Sequence, residues 1–243
     1  MRYLGGKSRL AKPISDAILA HTSERGHYLE PFIGGGSVFA EMVQHFDSAT
    51  AADAQEDLAL LWRGLIFGTF TPPTTLTESE WRCLRDAEPS ALRGFAGYGC
   101  SFGGRFFEGY ARNKAGTNYA AQTARSLARD LKRIDTSKVR QVWHSDYRDF
   151  SPRAGTVVYC DPPYANTKHY ASKRSGLEAF DHAEFWRTMD SWIEAGAEVF
   201  VSEFTAPDHW VPIWEKDRST GLGTQSGAKY RKETDRLFTR GAP

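Results

Sequence analysis

The sequence predicts an α/β protein built on a doubly wound, mostly parallel sheet that a single insertion interrupts. Three observations carry this expectation. Short apolar runs such as TVVYC (156–160) and EVFVSEF (198–204) are rich in β-branched and aromatic residues, as in strands buried on both faces. These runs alternate with segments whose apolar residues recur at helical spacing, the order that produces parallel strands with helical crossovers. The alternation stops at FTPPTTL (70–76), where prolines break it, and resumes near residue 138.

Taken in order, SRLAKPISDAILA (8–20) reads as a helix with Ile14, Ile18 and Leu19 on one face and Pro13 near its start. YLEPF (28–32) reads as a strand that ends at a glycine turn. SVFAEMVQHF (37–46) follows as a helix, SATAAD (48–53) as a strand closing on Asp53, and EDLALLWRGLI (56–66) as a helix. Inside the insertion, Thr77 and Glu80 form a capping-box signature for a short helix carrying Trp81 and Leu84. The stretch from Phe95 to Asn118 mixes glycines, aromatics and basic residues without a period, which predicts an exposed, shaped loop. TARSLARDLKRI (123–134) returns to helical spacing. VRQVWHSDY (139–147) and TVVYC are strands, and FDHAEFWRTMDSWIEAG (180–196) is a long helix capped by Asp181 and Glu184. EVFVSEF is the last clear strand, and the tail to Pro243 has room for a hairpin.

At 243 residues the chain is long enough for one α/β domain plus a smaller appendage. The boundaries expected are 1–68 with 138–243 for the main domain and 69–137 for the insertion. Three cysteines, Cys83, Cys100 and Cys160, lack CxxC spacing and are odd in number, so neither a disulfide framework nor a zinc knot is indicated. Seven histidines show no HExxH pattern, and no metal site is expected. No apolar run reaches the length of a membrane helix and no signal peptide is evident, so the expectation is a protein of a reducing cytoplasm with no membrane partner.

The net charge of +1 is unevenly spread. Residues 61–150 hold 14 Lys/Arg against 9 Asp/Glu, whereas residues 1–60 hold 5 against 8. Basic residues gathered in one segment are an electrostatic footprint for phosphates. For the cluster at 125–133, a solvated helix face accounts for the pattern equally well.

EPFIGGGSVFA sets Gly34 and Gly36 between a strand and a helix, with Asp53 nineteen positions after Gly34. That arrangement aims a helix N-terminus at an anionic group and places an acid for ribose hydroxyls. The third glycine of a dinucleotide fingerprint is replaced by Phe39, which disfavours a pyrophosphate and favours a nucleoside carrying a carboxylate, such as S-adenosylmethionine. GGKS (5–8) is not a phosphate-binding loop, because position 1 is Met and no strand precedes it. Lys7 reads instead as a cation beside the cofactor or a phosphate, or as a plain exposed lysine in a turn.

VVYCDPPY (157–164) runs a buried strand into an acid, two prolines and an aromatic ring. The prolines stiffen the chain and hold Asp161 and Tyr164 in a fixed relation at the strand's carboxyl end, where open α/β sheets bind ligands. This suits an exocyclic nucleobase amine, a poor nucleophile whose lone pair is delocalised into the ring. Asp161 and the carbonyl of Pro162 can accept its two N–H bonds, and Tyr164 can stack on a base drawn out of a duplex.

With these motifs in hand, the chain resembles the Dam-like DNA adenine-N6 methyltransferases. The matching pieces are RYLGGKSRL (2–10), YLEPFIGGGSVFAEM (28–42), AAD (51–53), HSDYRDF (144–150), YCDPPYANTKHY (159–170), FDHAEF (180–185) and VSEF (201–204), in the family's order. The resemblance implies a Rossmann-like methyltransferase fold with a small, mainly helical and loop-built target-recognition domain inserted. It implies a cofactor site from Tyr3, Lys7, Glu30, Pro31, Phe32, Gly34, Gly36, Asp53, Asp146, Tyr147 and Asp161. Catalysis would fall to Asp161, Pro162, Pro163 and Tyr164. The cofactor would be S-adenosylmethionine, with S-adenosylhomocysteine as product, and the partner double-stranded DNA, bound by a monomer. The loop with Thr167, Lys168 and Tyr170 would close near the flipped nucleotide. A bacterial enzyme is implied, and the chain's compactness suggests a phage or mobile element, within or outside a restriction-modification pair.

The resemblance is weakest in GCSFGGRFFEGYARNK (99–114), whose residues do not match the members that read GATC. Arg105, Tyr110, Arg112 and Lys114 are expected DNA contacts there, whereas at least two of Phe102, Phe106 and Phe107 are expected to form a small core. Alternatives are N4 methylation of cytosine, for which Ser at position 161 would be the stronger sign, a glutamine or small-molecule methyltransferase, and a catalytically silent DNA-binding module.

Overall fold

The structure, a computed structural model, describes residues 1, 3–164, 179–220 and 231–241. Its elements alternate over the first 66 residues: α1 (Ala11–His21), β1 (His27–Glu30), α2 (Ser37–Met42), β2 (Ser48–Asp53) and α3 (Glu56–Ile66). The intervening region contributes α4 (Glu78–Arg85), α5 (Ala91–Gly94) and α6 (Tyr119–Leu131). β3 (Val139–His144), β4 (Thr156–Cys160), α7 (His182–Glu194), β5 (Glu198–Glu203), β6 (Val211–Thr220) and β7 (Arg231–Thr239) complete the chain. The seven strands form one sheet in the order β3-β2-β1-β4-β5-β7-β6. β1 to β5 run parallel, and β7 enters antiparallel between β5 and β6. This is the Rossmann-like, doubly wound arrangement that the strand and helix pattern predicts, with the tail supplying the antiparallel pair.

Period two in the strands sorts the core into two layers. In β4, Val157 and Tyr159 join the cluster under α1, α2 and α3, while Val158 and Cys160 join the cluster under α7. β5 divides likewise, with Phe200 on the first side and Val199 and Val201 on the second. Strands buried on both faces in this way read as continuous apolar runs.

Local signals place several helix ends. Gln55 caps α3 by accepting from the Leu58 amide at 2.9 Å. The capping box at α4 forms, Thr77 and Glu80 each accepting from the other's backbone amide. Asp181 caps α7 by accepting from the Glu184 amide at 2.9 Å. α6 starts four residues before its apolar period begins, because Asn118 caps it on the Ala121 amide.

The stretch after α5 departs from the expected exposed loop. Phe95 to Gly99 form a buried helical turn, and Cys100 and Ser101 are buried as well. Its glycines serve close approach rather than freedom. A Cβ on Gly97 would sit 2.4 Å from the Phe106 ring, and one on Gly99 would sit 2.3 Å from Thr123 Cγ2. Phe106 and Phe107 are buried with Trp81 in a small aromatic core, while Phe102 is 67% exposed.

Residues 69–137 share the larger hydrophobic cluster with the sheet, and a buried ion pair fastens them to α3. Asp57, in the first turn of α3, accepts from Arg93 Nη1, from the Ser90 amide at 2.9 Å and from Gln55 Nε2 at 3.1 Å. Removing one partner of such a pair leaves the other buried and uncompensated, at a cost of about 3–5 kcal/mol. Asp57→Ala is therefore expected to lose stability of that order in urea unfolding. Lys12→Ala, which breaks only an exposed pair with Asp16 on α1, is expected to change little. Equal losses for the two variants would contradict the role given to Asp57.

Candidate active site

β1 and β4 are neighbours, paired from His27↔Thr156 to Leu29↔Val158, so their carboxyl ends open side by side. The order reverses here, β2 lying outside β1 and β5 outside β4, which makes this the switch point of the sheet. The glycine turn leaves β1 and the DPPY segment leaves β4, and a cavity of about 540 Å³ lies over both.

Glycine is required at two positions of the turn. Gly34 and Gly36 have φ of 44° and 66°, in the left-handed region that L side chains rarely adopt. A Cβ on Gly36 would also fall 2.2 Å from the Trp62 ring, and one on Gly34 would fall 2.9 Å from the Tyr3 ring. Two side chains bind the turn's backbone: Asp53 Oδ2 accepts from the Gly34 amide at 2.9 Å, and Trp62 Nε1 donates to the Gly34 carbonyl at 2.9 Å. Trp62 is a contributor that sequence reading missed, since its place on α3 reads as ordinary core. Phe39, where the third fingerprint glycine would stand, is fully buried against Tyr28.

Three carboxyl groups face the cavity from strand ends. Glu30 is buried and accepts from the Tyr28 hydroxyl at 2.6 Å. Burial pushes it well above the usual carboxylate range, opposed by that hydrogen bond and reinforced by the charge of Asp161. Burial raises Asp53 to about 6 against the amides of Gln55 and Gly34 that favour its ionised form. Asp161, 21% exposed, is also raised by burial, and the ammonium of Lys7 works in the opposite direction. Lys7 is itself 7% exposed and donates to both carboxylate oxygens of Asp161, at 2.6 and 2.9 Å. Its Nζ also stands 4.5 Å from the centre of the Tyr164 ring, which Phe204 meets edge-on at 4.6 Å. Lys7 is thus not the exposed lysine of a plain turn; it sits on the acid and the ring of DPPY, a placement the sequence did not suggest.

The far wall is aromatic. Phe32 stacks on Tyr147 with centroids 5.5 Å apart, and Phe180 packs edge-on against Phe32. Burial raises Tyr147 to about 12. Asp146 caps the short turn that follows β3 and accepts from Arg148 Nε at 2.7 Å. Tyr3, Lys7, Glu30, Phe32, Gly34, Gly36, Asp53, Asp146, Tyr147, Asp161, Pro163 and Tyr164 all line the cavity, whereas Pro31 and Pro162 are buried beside it. His144, Arg148, Phe180 and His182 line it as well and were not singled out from the sequence.

The four insertion residues stand apart from the cavity. The Tyr110 hydroxyl donates to the Leu76 carbonyl at 2.6 Å, Arg105 pairs with Glu108 at 3.2 Å, and Arg112 pairs with Glu78. Lys114 is exposed. Thr167, Lys168 and Tyr170 lie outside the described residues. Among the described residues no cluster of His, Cys, Asp and Glu is arranged to hold a metal, and no helix is long and apolar enough to cross a membrane.

A glycine turn and an acid-Pro-Pro-Tyr segment thus meet at the switch point of a doubly wound, Rossmann-like sheet. The family model of the D12 class N6 adenine-specific DNA methyltransferases matches residues 3–71, which bears out the Dam-like resemblance. No curated protein matches the chain. Similar solved structures include a candidate methyltransferase from Escherichia coli (14% identity, 97% of this chain and 88% of that one, TM-score 0.41). A candidate RNA methyltransferase from Pyrococcus horikoshii aligns at 9% identity over 95% and 82% of the two chains, with a TM-score of 0.40. A candidate methylase from Haemophilus influenzae aligns at 14% identity over 97% and 99%, with a TM-score of 0.38. At these scores the structures carry no argument about substrate.

The glycine turn yields a prediction of its own. Gly36→Ala combines a left-handed backbone with a clash against Trp62, an expected loss of at least about 2 kcal/mol, or on the order of 4–8 °C in Tm for a chain of this size. Thermal unfolding followed by circular dichroism measures it, and an unchanged Tm would contradict the packing described.

Proposed function

We propose that this protein is a site-specific DNA methyltransferase that moves a methyl group from S-adenosylmethionine to the N6 amine of adenine in a nucleotide flipped out of duplex DNA. The observation that carries the reading is the meeting, over one cavity, of the glycine turn with Asp53 and the DPPY segment with Asp161 and Tyr164.

The residues fit the cofactor by charge and shape. Three carboxyl groups raised by burial face the cavity, and Lys7 is the cation held among them. A ligand bearing a sulfonium and an ammonium against a single carboxylate would relieve that imbalance. Asp53 would receive ribose hydroxyls, Glu30 the cationic methionine end, and the Phe32, Tyr147 and Phe180 rings the adenine. When bound, S-adenosylmethionine supplies an electrophilic methyl on sulfur. The remaining work falls to the chain.

Asp161 and the carbonyl of Pro162 accept the two N–H bonds of the target amine and so turn its lone pair toward the methyl group, and Tyr164 stacks on the base. With the cofactor bound, its methyl group would pass from sulfur to the amine nitrogen, and Asp161 would be the acceptor for the proton the amine then loses. Lys7 must leave Asp161 and the Tyr164 ring before the base can take those places, so base entry and Lys7 withdrawal are one event. The insertion, 69–137, would read the target. Its exposed ion pairs at Arg105 and Arg112 are weak enough for DNA phosphates to compete with, and Lys114 is already open. Tyr110 and the loop with Lys168 and Tyr170 would complete the contact, and the protein would act as a monomer.

Two tests follow from the chemistry. Asp161→Ala should abolish methyl transfer to DNA while cofactor affinity stays within about tenfold of wild type, because its loss falls on the transition state. Retained turnover would sink the mechanism. Asp53 must be ionised to receive ribose hydroxyls, so affinity for S-adenosylhomocysteine should fall as pH drops through about 6. The sign reverses for the unliganded fold. It favours the neutral carboxyl over the ordinary value of 3.8, so from this group it loses stability as pH rises through the same value. Calorimetric titration between about pH 5 and 8 checks the binding limb, and a flat profile in wild type would rule Asp53 out.

A further inference from the structure

A second cavity, of about 700 Å³, opens on the other side of the N-terminal loop. It shares Tyr3 and Gly6 with the candidate active site, so the two are separated by one loop. One of its walls is a single stripe of α6. Gln122, Arg125, Ser126 and Arg129 lie at i, i+3, i+4 and i+7, with the buried Thr123 and Asp130 lining the cavity beside them, while Leu127 turns into the core. Ser8 and Gly103 line it opposite, which places the insertion loop and the N-terminal loop on its rim.

The two arginines of this cavity are less committed than several arginines around it. Arg93, Arg105, Arg112 and Arg133 are paired with Asp57, Glu108, Glu78 and Glu41. Arg125 is exposed and has no ion-pair partner among the described residues, and Arg129 reaches its nearest acid, Asp130, only at 3.9 Å. Asp130 is held in turn by the main-chain amino group of Met1 at 3.1 Å. Two exposed guanidinium groups one helical turn apart, with Arg129 donating to Ser126 Oγ at 3.2 Å, stand near the Ser8 hydroxyl and the Gln122 amide in a trough beside the candidate active site.

We propose that this cavity is a phosphate track: Arg125 and Arg129 hold successive backbone phosphates of a duplex DNA strand as it approaches the cavity over Asp161. The inference rests on the DNA reading above and adds to it a contact surface distinct from the insertion loop. Arginines about 5–6 Å apart at their Cβ atoms can reach neighbouring phosphates of one strand, and such contacts set register without reading sequence. They would fix the duplex where Tyr3 divides the two cavities, so that a flipped base turns into the one while its backbone lies in the other.

Anisotropy titrations of a fluorescent, unmethylated duplex of about 20 base pairs, from about 50 to 200 mM salt, test the proposal through the slope of log affinity against log salt. Arg125→Ala and Arg129→Ala are each expected to flatten the slope by about one unit, and the double variant by about two, to a similar extent for unrelated sequences. Lys12→Ala, on α1, serves as the control for net charge, and thermal unfolding verifies that each variant folds. An unchanged slope in the double variant, or equal flattening by Lys12→Ala, overturns the phosphate track while the wild type still binds DNA. A wild type with no salt-dependent DNA affinity overturns the DNA reading itself and the track with it.

Discussion

The parallel pairing of β1 with β4 is the constraint on which the candidate site depends. These strands are separated by more than 120 residues in sequence and lie side by side from His27↔Thr156 onward. Because both are parallel and end at the same level, the glycine turn and the DPPY segment must face one another. Shift either strand by one residue and its side chains change faces, moving Tyr28 and Glu30 or Val157 and Tyr159 to the wrong layer. The hydrophobic sorting of the strands is thus also what brings Glu30 and Asp161 to the same cavity.

A second constraint comes from the charges gathered there. Carboxyl groups at adjacent strand ends, desolvated by the layers on either side, are costly to ionise together, and their raised pKa values express that cost. Lys7 relieves part of it, crossing 154 positions of sequence to reach Asp161. Under the proposed function, the same electrostatic demand that holds Lys7 in place would favour a cationic ligand.

Much of this was legible in the sequence wherever the signal is local. EDLALLWRGLI reads as the helix that forms over Glu56–Ile66, and the capping residues Thr77, Glu80 and Asp181 act as their spacing implies. The placement of the glycines at 34 and 36 and of the acid at 53 around one turn was legible because turn geometry and strand ends leave short-range marks. Contacts across long separations leave no such mark. The ring of Trp62 over Gly36, the ion pair between Asp57 and Arg93, and the placement of Lys7 on Asp161 all join segments far apart in the chain. The stretch from Phe95 to Ser101 shows the limit most clearly. Its glycines read as loop, yet they are there because Phe106 approaches Gly97 and Thr123 approaches Gly99 too closely for any side chain.

Whether this arrangement methylates an exocyclic amine of DNA is read most directly from the identity of the modified nucleoside. Unmethylated genomic DNA incubated with the protein and isotopically labelled S-adenosylmethionine, digested and resolved by mass spectrometry, should contain labelled N6-methyldeoxyadenosine and no labelled C5-methyldeoxycytidine. A label found on a ring carbon, or no labelled nucleoside from folded protein that binds the cofactor, would contradict the account.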